Sequence, residues 1–304
     1  MNFILDTQQK HIFILGAGAS KEYGLPTWDE LVELIENEVN NEKSDKYEYK
    51  KEILEWIRGV SRNVYDGKKY KTIDECIAKE SVNYHDNGAK IEDEIFRAMN
   101  RVFNKQYNKD NTKGWINLLN NKFLDKKNKL IQNLENRIAF INYNYDDVLD
   151  KNFLNFNYLD QKHRDVLDRE RLLELNEAKV PCFYPHGFFS ELEPDHLSRR
   201  SDTYKSGGNY IDVVSCHDSK PHSLWLENQS LGINLYILGL GGGLEINLKN
   251  INFQNPIFKI HITVKNPENV ETVRNFLIEQ FREVNPTNII VYKDCKELIN
   301  NCFN

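Results

Sequence analysis

Along the chain, the first sustained apolar feature is the run Ile12-Phe13-Ile14-Leu15, which stops at Gly16-Ala17-Gly18-Ala19-Ser20. An unbroken apolar run bounded by turn residues predicts a strand buried on both faces. From Thr27 the period changes. Trp28, Leu31, Leu34, Ile35 and Val39 recur at helical spacing, and Thr27 with Glu30 matches a capping box. A second match, Thr72 with Glu75, precedes Ile77. Further on, Ile91, Ile95, Phe96, Met99, Val102 and Phe103 share one helical face. Residues 27–135 therefore read as a set of helices with polar connections, their apolar faces turned to core.

Strand character returns at Arg137 to Ile141 and ends in Asn142-Tyr143-Asn144-Tyr145-Asp146-Asp147. A charged helical stretch from about Gln161 to Ala178 leads to a short strand, Cys182 to Tyr184, ending at Pro185-His186-Gly187. Ser198 to Lys220 is polar and aperiodic and reads as a loop. The final third alternates. A strand at Ile233 to Leu238 meets Gly239-Leu240-Gly241-Gly242-Gly243, and another at Phe258 to Val264 meets Asn266-Pro267. A helix from Glu268 to Phe281, a strand at Asn288 to Tyr292 and a last helix follow. This alternation predicts an α/β fold: a Rossmann-like parallel sheet with helices on both faces. Residues 1–304 form one domain in this reading, with 27–135 as a helical elaboration after the first strand. Ligands of such sheets bind at the carboxyl ends of strands, where each polar motif falls.

Composition narrows the function classes. At 40% hydrophobic and 28% charged residues the chain is an ordinary globular one. With 40 Lys and Arg against 46 Asp and Glu, the net charge of −6 gives no whole-protein attraction for nucleic acid, so none is expected as a partner. No apolar run approaches the roughly 20 residues of a membrane span, and the N-terminus lacks a charged-then-apolar leader. No membrane association is expected. The cysteines (Cys76, Cys182, Cys216, Cys295, Cys302) include no C-x-x-C pair, which argues against a zinc ribbon or disulfide framework and for a reducing cytoplasm.

The glycine turn suggests phosphate binding, because a strand turning on glycines toward a helix brings backbone N–H groups close to a ligand. It is not a dehydrogenase fingerprint: Lys21 stands where the third glycine belongs, and no acidic residue ends a second strand about 20 residues on. No Gly-Lys-Ser/Thr follows, which excludes a Walker loop. Asn144 and Asp146 pair a donor–acceptor amide with an acceptor, suited to sugar hydroxyls or a placed water. The same residues also favour an Asx turn or a helix cap for the segment at Val148. His186, at a strand end, is suited to proton transfer or to a structural hydrogen bond.

In order, GAGAS with a G-x-P after it, NYD and HG each follow a strand, and this combination resembles the sirtuin-like superfamily, in the form of the bacterial domains of anti-phage defence. The resemblance implies an NAD+ hydrolase that releases nicotinamide and ADP-ribose, an abortive-infection effector without metal. It assigns Asn144, Asp146 and His186 to catalysis, and Gly16, Ala17, Gly18, Ser20, Pro26, Thr27, Gly239 and Asn266 to NAD+ binding. It also implies a homo-oligomer and a partner defence protein such as a helicase-type ATPase. The chain lacks the paired C-x-x-C zinc module of the superfamily's deacetylases and reads Pro26-Thr27-Trp28-Asp29 where they carry Pro-Asp-Phe-Arg. Gly239 to Glu245 also lacks the serine and aspartate of the family's late glycine motif. Two alternatives stay open: a non-catalytic module sensing NAD+ or ADP-ribose, and an NAD-dependent deacylase or ADP-ribosyltransferase.

Overall fold

The computed structural model describes residues 9–41, 46–60, 70, 73–83, 87–107, 113–124, 138–146, 148–153, 182–183, 232–241, 244–248 and 256–303. Its centre is a parallel sheet of six strands: β1 (Gln9–Leu15), β2 (Ile138–Asn142), β3 (Cys182–Phe183), β4 (Gly232–Leu238), β5 (Ile257–Thr263) and β6 (Ile289–Tyr292). The spatial order is β3-β2-β1-β4-β5-β6, so the chain builds outward on one side of β1 and then on the other. The reversal falls between β1 and β4, where doubly wound sheets place their ligands. The α/β expectation is met, and every pairing is parallel.

β1 and β2 are buried nearly throughout, as strands covered on both faces must be. Phe13 and Leu15 face a core completed by Phe140, Tyr236, Leu238 and the helices α6 (Trp115–Phe123), α7 (Val148–Asn152) and α10 (Cys295–Cys302). Ile12 and Ile14 face the opposite core, closed by α8 (Leu244–Leu248) and α9 (Val270–Gln280). On the first face, one side chain from each of four adjacent strands aligns in register. Phe140, Phe13, Tyr236 and His261 stack at centroid spacings of 5.1, 4.7 and 5.0 Å. Offset stacking of this kind adds to what area burial alone contributes.

The helical elaboration forms a core of its own from α2 (Trp28–Asn40), α3 (Lys50–Arg58), α4 (Ile73–Asn83) and α5 (Gly88–Gln106). One helix of the 27–135 stretch packs elsewhere. Trp115, Ile116, Leu119 and Phe123 of α6 belong to the sheet's core, so that helix is part of the sheet layer. The helix expected from Glu268 starts at Val270, after a 3-10 turn at Pro267–Asn269. The helix at Gln161 to Ala178 and the loop at Ser198 to Lys220 lie outside the described residues. No helix among the described residues is long and apolar enough to cross a membrane.

Candidate functional site

β1 ends at Leu15, and α1 (Ala17–Ser20) starts after Gly16 alone. That one-residue turn lies against the turn that follows β4. The Gly16 N–H donates to Leu238 O at 2.9 Å and the Gly18 N–H to Gly239 O at 2.8 Å. A Cβ on Gly16 would stand 2.5 Å from Leu240 Cα, and one on Gly18 2.9 Å from Gly239 Cα. Gly239 has φ 63°, and a Cβ there would overlap the Ala19 nitrogen. These glycines thus allow two backbones to approach each other, where a dinucleotide fingerprint uses one such glycine for the approach to pyrophosphate.

This corrects part of the expected cradle. The Gly16 and Gly18 N–H groups already have carbonyl partners, so they do not face outward to a phosphate. The donors left at the turn are the Ala17 N–H, which as the first residue of α1 has no partner within that helix, and the Ser20 hydroxyl.

Asn144 joins β2 to this turn. Its Nδ2 donates to Gly16 O at 3.0 Å and to Ser20 Oγ at 3.1 Å, while its N–H is held by Asn142 Oδ1 at 3.0 Å. Asn144, Ser20 and Asp146 are all buried. Both amide hydrogens of Asn144 are therefore engaged internally, which leaves Oδ1 as its acceptor. Ser20 Oγ accepts from Asn144 and retains its own proton for a further acceptor. Asp146 Oδ1 accepts the Val148 N–H at 3.1 Å, an Asx turn that leads into α7. Of the two local roles the sequence leaves open for it, this bond is the Asx turn.

Pro26 is buried beside the start of α2, and Thr27 is half-buried. The Glu30 carboxylate accepts the Thr27 N–H at 2.9 Å and the Thr27 hydroxyl at 3.1 Å. Lys21 also pairs with Glu30 and holds its carboxyl below the usual carboxylate range. The residue occupying the missing third glycine's place thus ties the glycine turn to α2. Asn266 is exposed at the carboxyl end of β5, and its carbonyl accepts the Asn269 N–H at 3.0 Å. It shares the strand-end edge with Asn144 without bonding to that cluster. His186 lies outside the described residues. The structure therefore gathers Gly16, Ala17, Gly18, Ser20, Asn144 and Gly239 at one point, with Asp146 two residues beyond Asn144.

Several supports of the site carry little or no signal in the sequence. Thr263, the last residue of β5, accepts the Gly239 N–H on Oγ1 at 2.8 Å and fixes the β4 turn from its other side. The α1 segment is anchored below by α6. Trp115 Nε1 donates to Ala19 O at 2.7 Å, and the Ile116 N–H donates to Tyr23 Oη at 3.0 Å. Glu22 accepts the Trp115 N–H and pairs with Lys296 at 2.9 Å. A hydroxyl at a strand end was the only advance signal for Thr263. Nothing local marks Trp115.

Away from this edge, His261 Nδ1 lies 3.1 Å from Tyr292 Oη and 3.1 Å from Cys302 Sγ. Burial, with Lys259 adding to it, lowers the His261 pKa to about 4. Burial likewise pushes the Cys302 thiol up to about 11. Both groups are neutral near pH 7, so this is an internal polar contact without a reactive thiolate. Among the described residues no group of three or more His, Cys, Asp or Glu is placed to hold a metal ion. Compared with protein-family models and with curated proteins, the chain matches none.

Proposed function

We propose that the chain is an NAD+ hydrolase of the sirtuin-like kind, cleaving the nicotinamide–ribose bond to give nicotinamide and ADP-ribose. The observation that carries this reading is the Asn144 amide on Gly16 O and Ser20 Oγ, at the carboxyl ends of the central strands and beside the point of strand reversal. It joins the glycine turn and the NYD motif, more than 120 residues apart, in one buried polar cluster.

The chemistry asks little of an acid, since nicotinamide leaves a cationic pyridinium as a neutral molecule. The transition state is oxocarbenium-like, as in glycoside cleavage. In this reading the Ser20 hydroxyl and the Ala17 N–H donate to the pyrophosphate. Asn144 Oδ1 accepts from a ribose hydroxyl or from the attacking water, oriented by an amide whose other end is held rigidly. Asp146 shapes the start of α7 beside it, His186 takes the water's proton, and Asn266 meets the adenosine ribose. An unregulated hydrolase would drain the NAD+ of its own cell, so activity is coupled to self-association or to a second defence protein such as a helicase-type ATPase.

The test is nicotinamide release from NAD+, with and without an acetylated peptide, over a range of protein concentrations. Release without peptide, lost in Asn144→Ala and His186→Ala, supports the proposal. Release that requires peptide assigns a deacylase instead. Saturable NAD+ or ADP-ribose binding with no release under any condition assigns a sensing module.

A further inference from the structure

Consecutive residues at the end of β2 reach different parts of the molecule. Asn142 Oδ1 holds the Asn144 N–H, and Tyr143 Oη donates to Asn247 O of α8 at 3.0 Å. Asn144 spans to Gly16 and Ser20, and Asp146 makes the turn into α7. Between these two, Tyr145 goes elsewhere. It is 4% exposed and belongs to the core of the helical block. Its ring stands edge-on to Trp28 of α2 at 6.3 Å and inclined to Phe96 of α5 at 5.8 Å.

A polar motif with a tyrosine at its centre would be read as ligand-facing throughout. The geometry divides it: Asn144 faces the candidate site, and Tyr145 is embedded in a separate hydrophobic core. Adjacent Cα atoms are about 3.8 Å apart across a planar peptide. A shift of the Tyr145 ring with its helices therefore moves the Asn144 backbone, and with it two hydrogen bonds of 3.0 and 3.1 Å. Such bonds weaken steeply once stretched or bent. Trp28 adds to the coupling, since it begins the helix whose preceding residues, Pro26 and Thr27, are candidate binding residues.

We infer that Tyr145 is a positioning residue, the contact through which the helical block of α2–α5 sets the Asn144 amide over Gly16 and Ser20. Its catalytic consequence rests on the NAD+ hydrolase reading, whereas the mechanical coupling does not. Tyr145 lies inside the core of the helical block, away from the glycine turn. It acts through Asn144.

The test uses the full chain with Tyr145→Ala, Tyr145→Phe and Phe96→Ala, the last a fully buried residue of α5 outside the glycine cluster. Two readouts are taken. The first is hydrogen exchange at the Gly18 and Asn144 amides, whose acceptors are Gly239 O and Asn142 Oδ1. Both alanine variants should exchange there about tenfold faster or more, with β4 and β5 amides little changed, and Tyr145→Phe should restore protection. The second is steady-state nicotinamide release, where the alanine variants should lower kcat about tenfold with KM nearly constant, and Tyr145→Phe should recover it. Unchanged exchange at Gly18 and Asn144 in both alanine variants overturns the inference, as does failure of Tyr145→Phe to rescue. If Tyr145→Ala does not fold, Tyr145→Leu and Phe96→Leu make the same comparison. A wild-type protein that releases no nicotinamide defeats the functional reading, while the exchange data still decide the coupling.

Discussion

Gly239→Ala measured beside Gly241→Ala isolates the energetic weight of the interlocked turns. Both glycines have positive φ, 63° and 47°, so alanine at either incurs a left-handed backbone strain of about 1–2 kcal/mol. They differ in the space around them. A Cβ at Gly241 meets nothing within 4 Å, whereas at Gly239 it would overlap the Ala19 nitrogen and stand 2.7 Å from Gly18 Cα. These neighbours are backbone atoms, and no rotamer change can move them aside. Overpacking adds about 1–3 kcal/mol, so Gly239→Ala should cost about 2–5 kcal/mol in total against about 1–2 for Gly241→Ala. Equilibrium urea unfolding followed by far-UV circular dichroism reads the difference. With a slope of about 3 kcal/mol/M, the midpoint should fall by about 1 M for Gly239→Ala and by about half that or less for Gly241→Ala. Equal midpoints would refute the claim that the glycines serve backbone-to-backbone contact.

Three further outcomes are expected. Thr263→Val removes the acceptor of the Gly239 N–H and should cost about 1–2 kcal/mol in the same urea assay, with Thr263→Ser close to wild type; an unaffected Val variant would show the bond to be dispensable. His261 is neutral in the fold, with its pKa lowered from 6.5 to about 4, so the unfolded chain takes up the proton first as pH falls. Its contribution, about 3 kcal/mol, is present above pH 6.5 and lost between about 6.5 and 4; stability in that window should fall less steeply in His261→Phe than in wild type. Cys302, pushed up to about 11, should react with iodoacetamide at pH 8 roughly a hundredfold more slowly than a free thiol, as read by peptide mass spectrometry; labelling at the free-thiol rate would contradict its burial against His261.

The sheet was legible because its strands are written as dense apolar runs. Ile12 to Leu15 and Ile233 to Leu238 could be little else, and the glycines after each marked the turns. What those glycines contact was not legible, because Gly16 and Gly239 are separated by more than 200 positions and their meeting depends on β1 pairing with β4. For the same reason the sequence points to a phosphate cradle where the Gly16 and Gly18 amides serve a neighbouring turn. Asn144 stood out as a polar residue ending a buried strand, and the structure supplies its partners. The Asx turn of Asp146 was legible from local rules alone, since its bond to Val148 spans two residues. Tyr145 was not, because short polar motifs carry no periodicity to say which side chain turns away. Nor was the siding of α6 with the sheet, where Trp115 and Phe123 are as apolar as residues of the helical block.

The proposed hydrolysis depends on one cluster and on one bond in a substrate. Its most direct test is to incubate the full chain with NAD+ labelled in the nicotinamide ring and to follow free nicotinamide, comparing wild type with Asn144→Ala at matched folded concentration. Wild type should release nicotinamide, with ADP-ribose formed in equal amount, and the variant should lose about a hundredfold or more. Equal release by both proteins, or none by wild type alone, concentrated or with candidate partners, would contradict it.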